Sequence, residues 1–320
     1  MPNYPGISSE AFRHPLDRQA EQALRSVPGF DLVARKFVEF VYERPRYIYL
    51  MGNTIQVGVR QFSSVYQIFR ECLQCLDVSP EPALFVSQAP SVNAYALGQE
   101  KPCVVLNSAL LDLLSETELR SVIAHELGHL KCGHTTLTQM AMWANFAIAG
   151  LADLTFGLSN LISTGLMLAF YEWLRKAELS ADRASLLVMD ELNPTLQGMM
   201  RLAGGSLKYA HEMSLDELIK QSDRYQELDN DQLNQLYKFS LYNDVSNGVF
   251  LSHPFTIERI RFLQEWAAST EFQNIRQGNY IRVGSEGSIP VDPKNEEADE
   301  LKRQIEELQK EIERAKRSQS

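Results

Sequence analysis

Residues 121–130 read Ser-Val-Ile-Ala-His-Glu-Leu-Gly-His-Leu, and this run carries the chain's clearest chemistry. His125 and His129 are four positions apart. On a helix their imidazoles share one face, about a turn from each other, and can hold one metal ion. Glu126 is then placed to take a proton from a water on that ion. The helical premise has local support. Ser115 with Glu118 forms a capping-box pattern, and Leu119, Val122, Ile123, Leu127 and Leu130 supply the apolar positions with no proline among them. A run this apolar should be buried, and two imidazoles and a carboxylate buried without a task would be costly. The expectation is therefore a metal site and not a chance pentapeptide.

A catalytic zinc needs a third protein ligand and an open position. One known extension places Gly seven and His ten residues after the first histidine. Here those positions are Cys132 and Thr135, so that reading fails. His134, nine residues past His125, is expected to cap or pack on the far side of a continuing helix. The second option is an acid on a later helix. In the stretch 171–190, Glu178 and Asp182 are four apart and flanked by Ala177, Ser180, Ala181 and Ala184, small enough for close helix packing. Glu178 could complete a His-His-Glu set, with Asp182 accepting the second N–H of a ligand histidine. The same acids could instead pair with Arg175, Lys176 or Arg183 on a solvated face, and spacing alone leaves the two readings balanced.

The motifs in order are more specific than any one alone. HELGHLKCGH followed by ELSADR resembles the HtpX-like and CAAX-prenyl-protease family of zinc metallopeptidases (metallopeptidase family 48, gluzincin type), whose pattern is HExxH and then ExxxD. NAYALG at 93–98 is similar to that family's Asn-Ala-aromatic-Ala-x-Gly segment, which precedes the edge strand of the cleft. SHPFTIERIRFL at 252–263 resembles its His-Pro…Arg-Ile segment. The resemblance implies one zinc ion per chain on His125, His129 and Glu178, with Asp182 behind them. It implies Glu126 as the base, His253 as the histidine that stabilises the oxyanion, and Arg259 as a brace for the acids. It further implies polypeptide substrates, extended or misfolded, added as a strand near Asn93, Ala94 and Val104, in the service of protein quality control. A catalytically silent, chaperone-like module would keep the zinc fold without the base, and Glu126 is present. A scaffold acting through the C-terminal tail is the other alternative.

The elements that must position these residues read as mainly helical α+β: a zincin-like domain with a small edge sheet and a C-terminal helical tail. Residues 1–60 read as helical, ending in a hairpin around Gly52-Asn53. Residues 61–284 are the expected peptidase domain. Within it ALFVSQ and PCVVLN read as strands, separated by a turn-rich stretch. Between Lys131 and Glu172 the only formal charge is Asp153. Residues 136–175 are expected to form an apolar helical hairpin. ADLTFG at 152–157 splits it into pieces shorter than the roughly twenty residues needed to span a bilayer. Any membrane association would rest there. Residues 285–299 read as a linker. In 300–320 the positions Leu301, Ile305, Leu308 and Ile312 form a short coiled-coil seam, so that 300–316 could self-associate.

Composition sets the outer limits. The 320 residues carry a formal net charge of −10, which gives no footprint for nucleic acid or anionic lipid. No basic and apolar leader opens the chain, and four cysteines are too few for a disulfide framework. Cys72 and Cys75 lie in a helical pattern and read as buried core residues. The expected compartment is a reducing, cytoplasmic one.

Overall fold

The computed structural model describes residues 2–40, 43–148, 164–227, 253 and 256–284 of the chain. Its helices are α1 Pro15–Ser26, α2 Phe30–Phe40, α3 Glu43–Asn53, α4 Ser63–Leu76, α5 Ser108–Leu113, α6 Glu116–Lys131, α7 His134–Ile148, α8 Thr164–Met189, α9 Leu192–Gly204, α10 Leu215–Gln226, α11 Thr256–Ala267 and α12 Thr270–Arg276. Four short strands, β1 Ile55–Gln56, β2 Ala83–Ser87, β3 Ala94–Leu97 and β4 Cys103–Asn107, form one sheet in the order β1-β2-β4-β3. The mainly helical α+β class is as expected.

Helix α6 is the axis of the molecule. It starts with the capping box read from the sequence, Ser115 Oγ accepting from Glu118 N while a Glu118 oxygen accepts from Ser115 N. It packs on α8, α4 and α9 and under β3. The α6–α8 crossing is close because Gly128 lies at it. A Cβ there would come 2.7 Å from Ala184 Cβ and 3.0 Å from Ala181 Cα. Across the same seam Ser121 and Ser185 hydroxyls meet at 2.8 Å. The small residues flanking Glu178 thus do what their size allows, bringing the acids of α8 against the histidines of α6.

Three apolar clusters hold the frame. The largest joins α4, β2, β4, α6, the end of α8, α9 and α11, and it includes Tyr4, Ile7 and Phe12 from the N-terminus. A second packs α1 and α2 against α7 and the first half of α8, with Phe170 and Trp173 fully buried. So the described parts of the 136–175 stretch pack against protein, and no helix of the described residues is long and apolar enough to cross a membrane. The residues ADLTFG, the linker and the tail lie outside the described residues. The third cluster, Leu50, Phe85, Leu97, Cys103 and Val105, fills the other side of the sheet. Cys72 and Cys75 are buried in α4. Burial pushes both thiols up, Cys75 to about 12, which makes them inert packing groups.

The structure corrects three readings. Gly52-Asn53 is the last turn of α3 and not a hairpin turn. Asn53 Nδ2 donates to Tyr49 O at 2.8 Å and Thr54 Oγ1 to Leu50 O at 2.7 Å, closing the helix, and Ile55–Gln56 pairs with β2 instead. Leu50 is buried while Ile48, Tyr49 and Met51 are exposed, so this helix has no apolar stripe for the sequence to show. The stretch read as turn-rich contains strand β3, which forms the sheet edge. Val104, expected on that edge, lies on the interior strand β4, between β2 and β3 and fully buried. An unbroken apolar run such as Cys103–Leu106 marks a strand covered on both faces. Lastly, α6 does not continue to His134. It stops at Cys132, Gly133 turns the chain with φ +72°, and His134 opens α7.

Candidate metal centre

Two imidazole nitrogens and the two oxygens of one carboxylate converge between α6 and α8. His125 Nε2 is 3.2 Å from His129 Nε2 and 3.3 Å from Glu178 Oε2, and His129 Nε2 is 3.1 Å from Glu178 Oε1. Zinc at about 2.0–2.1 Å from tetrahedral N and O ligands sets them about 3.3–3.4 Å apart. Each imidazole nitrogen thus stands at about that spacing from the other and from one of the two Glu178 oxygens, and the residues fit the ion. His253 is a fourth candidate residue, one ligand atom from each of the four lying within 4.8 Å of the others.

Glu126 has the environment of a group waiting for a water. It is 1% exposed, and neither carboxylate oxygen makes a hydrogen bond among the described residues. Its nearest polar neighbour is His253 Nε2, 3.3 Å from Oε1. A carboxylate buried without hydrogen bonds is expensive and calls for a reason.

Behind the ligands lies a charged layer. Asp182 Oδ1 is 3.0 Å from His125 Nδ1. Arg259 from α11 donates from Nε and Nη2 to the two Asp182 oxygens, both at 2.7 Å, and from Nη1 to Glu178 Oε2 at 2.5 Å. All three side chains are buried. Burial alone would raise the two carboxyls, but His253, Arg259 and His125 hold Glu178 well below its usual range, and Arg259 and His125 do the same for Asp182. Burial pulls the His125 imidazole down, yet Glu178 and Asp182 outweigh it and raise it to about 10. His129 is lowered by burial and stays neutral. Arg175 and Lys176 pair with Glu172 and Glu258 instead, and Arg183 with Glu271, so the solvated-face reading of Glu178 and Asp182 fails.

His253 touches both sides of the centre. Its Nδ1 lies 3.1 Å from Glu178 Oε2 and its Nε2 lies 2.9 Å from the Ala94 carbonyl. Burial opposes its charge, and Glu178 and Glu126 more than offset that and raise it. Two cavities meet at Asn93, Glu126 and His253. One, about 210 Å³, is walled by Ala94, Val122, Thr195, Met199 and Leu202, and the other, about 290 Å³, by Tyr95, Leu97, Thr138, Met142 and Leu174. Of the residues expected to bind substrate, Asn93 and Ala94 line this cleft and Val104 does not.

Two residues escaped sequence reasoning. His134 Nδ1 is 3.0 Å from His129 Nδ1, and its Nε2 is 3.0 Å from Asp17 Oδ2 of α1. Gly133 was the signal that α6 ends before His134. For Asp17, more than a hundred residues upstream, the sequence carries no signal.

Residues 60–267 match a family model described as Peptidase family M48. A plastoglobule-localized metallopeptidase 48 of the Arabidopsis thaliana chloroplast is 31% identical over 277 residues, 84% of this chain and 76% of its own length. A protease HtpX homolog of Helicobacter pylori (strain J99 / ATCC 700824) is 27% identical over 163 residues, 44% of this chain and 53% of its own. Another, of Sulfurovum sp. (strain NBC37-1), is 36% identical over 98 residues, 30% and 34% of the two chains. No solved structure matches the chain.

Proposed function

Because the chain belongs to peptidase family M48, a family of zinc-dependent metallopeptidases, we propose that it is an endopeptidase that cuts extended or misfolded polypeptide chains at a zinc held by His125, His129 and Glu178. The observation that carries this reading is the convergence of two imidazole nitrogens and the Glu178 carboxylate at 3.1–3.3 Å beside a buried carboxylate without hydrogen bonds. When bound, the ion supplies Lewis acidity toward a peptide carbonyl and lowers the pKa of a coordinated water. The chain's own residues do the rest. Glu126 accepts the water's proton at a carboxylate oxygen and returns it to the leaving amine nitrogen. His253 offers an N–H toward developing negative charge once its Nε2 gives up the Ala94 carbonyl. Asp182 holds His125 in the tautomer with Nε2 unprotonated.

Substrate form follows from β3. Asn107 N donates to Asn93 O at 3.0 Å, and the register continues as Ala94 opposite Leu106 and Ala96 opposite Val104. In an antiparallel pair the backbone groups of alternate residues face outward, here those of Ala94 and Ala96. Among the described residues no strand lies on that side. An extended peptide can add there, recognised mainly through its backbone. That favours unfolded segments over folded ones, and a role in protein quality control follows from the preference.

The test is zinc content together with casein cleavage, for the parent and for Glu126→Gln. The expected result is about one zinc in each and cleavage only by the parent, with a loss of at least about a hundredfold in the variant. A parent that binds no zinc sinks the reading, and a parent that binds zinc and cleaves nothing favours the silent protein-binding module.

A further inference from the structure

The two ligand histidines are held differently. His125 meets a carboxylate directly, through Asp182. His129 meets another histidine, and that histidine meets Asp17. Asp17 is 0% exposed and His134 1% exposed, so solvent does not arbitrate among these atoms. The Arg13 guanidinium beside the Asp17 carboxyl keeps it ionised, so it can only accept. Arg13 donates to it from Nε at 2.8 Å and from Nη2 at 3.1 Å, and Ser180 Oγ donates at 2.7 Å.

With His134 neutral, the proton order has one consistent solution. Asp17 accepts, so His134 carries its hydrogen on Nε2. A neutral His134 presents a lone pair at Nδ1. Facing that lone pair at 3.0 Å, His129 must carry its own hydrogen on Nδ1. Its Nε2 is then left with the lone pair that points into the ligand cluster. The other tautomer of His129 would set two lone pairs against each other and put a hydrogen where the ion must bind. The rings are held for this. Trp173 stands edge-on to His134 at 5.8 Å and 84°, and His14 N donates to Ser180 Oγ at 3.0 Å, fixing α1 to α8 beside Asp17.

We infer that Asp17 and His134 are positioning residues of the metal centre: Asp17 fixes the tautomer of His129 through His134. The helix that carries Asp17 lies outside the matched segment 60–267, so the N-terminal residues complete the site and are not an appendage to it. The inference rests on the reading that His125, His129 and Glu178 hold a metal.

The experiment uses the full chain with ¹⁵N-labelled histidine, and measures zinc affinity by chelator competition and the tautomer of His129 from its ring ¹⁵N–¹H correlations. The variants are Asp17→Asn, His134→Phe and His134→Gln. Gln can accept with Oε1 and donate with Nε2, as neutral His134 does, whereas Phe keeps the ring against Trp173 and neither polar atom. The expected result is zinc binding weakened roughly 10–100-fold in Asp17→Asn and His134→Phe and largely restored in His134→Gln. The metal-free spectra should show Nδ1–H on His129 in the parent and a mixture in Asp17→Asn and His134→Phe. A purely structural role gives the opposite order, with His134→Phe near the parent and His134→Gln impaired, and overturns the inference. So does a parent-like His129 spectrum in Asp17→Asn. Should His134→Phe not fold, Asp17→Asn decides by the same two readings. If the parent binds no zinc, the functional reading fails, while its metal-free spectrum still tests the proton order: Nε2–H on His129 overturns it.

Discussion

At Arg259 one guanidinium answers two buried carboxylates. Without it Glu178 and Asp182 would face each other in a space that water does not reach. Removing one partner of a buried ionic cluster costs about 3–5 kcal/mol, mostly from the charge left behind. Arg259→Met should therefore destabilise the metal-free protein by about that amount in denaturant unfolding, and by less with zinc present, because the ion offsets the acids. Arg259→Lys should recover only part, since an ammonium cannot make the two-pronged bond to Asp182. Glu126 differs. It is a buried carboxylate without hydrogen bonds whose one ion-pair contact is His253, so Glu126→Gln should change metal-free stability by no more than about 1 kcal/mol while abolishing cleavage. A larger fall would mean that the ion pair with His253 holds the fold and not only the site. At this scale His125, Glu126 and His129 are legible from spacing, because the period of a helix alone brings them together. Glu178, Asp182 and Arg259 are not, because their meeting depends on how three helices cross.

The crossing of α6 and α8 is set by what is missing from a side chain. Glycine inside a helix costs about 1 kcal/mol relative to alanine, so Gly128→Ala would stabilise an isolated helix. Here the added methyl meets Ala184 Cβ and the Ala181 backbone, and overpacking of that kind costs about 1–3 kcal/mol. The prediction is a net loss of thermal stability for Gly128→Ala and a larger one for Gly128→Val. Zinc affinity should fall with it, because α8 carries Glu178 away from the histidines on α6. Unchanged affinity would show that the helices can part without moving the ligands. Elements differ in legibility for a physical reason. Helix α6 announces itself by cap and stripe, whereas α3 hides its nature because, of residues 46–53, only Leu50 is fully buried. Strand β3 hides because four residues paired on one side look like any turn-rich segment.

Across the whole molecule the buried charges shape stability against pH. Glu178, Asp182 and Asp17 are depressed, so their contribution is present above the unfolded carboxylate range of about pH 4 and is lost as pH falls through their lowered values. His14, lowered to about 3 chiefly by burial, contributes above its unfolded value of about 6.5 and loses that contribution as pH falls toward 3. His125, raised to about 10, has the opposite sign. Its contribution is full below about 6.5 and lost as pH climbs to 10. Metal-free protein should therefore melt at its highest temperature near about pH 6–7 and lower on both sides. Saturating zinc should flatten the alkaline limb, since a ligand His125 has already given up its proton. Thermal melts across pH, with zinc and with chelator, check this, and an unchanged alkaline limb would place the proton elsewhere.

The sequence by itself determined the mainly helical class, the placing of His125, Glu126 and His129 together on α6 and the small residues that admit α8, because these follow from periodicity, capping and side-chain volume within one or two turns. Only the tertiary structure decided which strand is the edge, where α6 stops, and that Asp17 of α1 stands behind His134. The first and the last depend on contacts between residues dozens to more than a hundred positions apart, where the burial of a shared core sets the distance and local patterns of hydrophobicity do not reach.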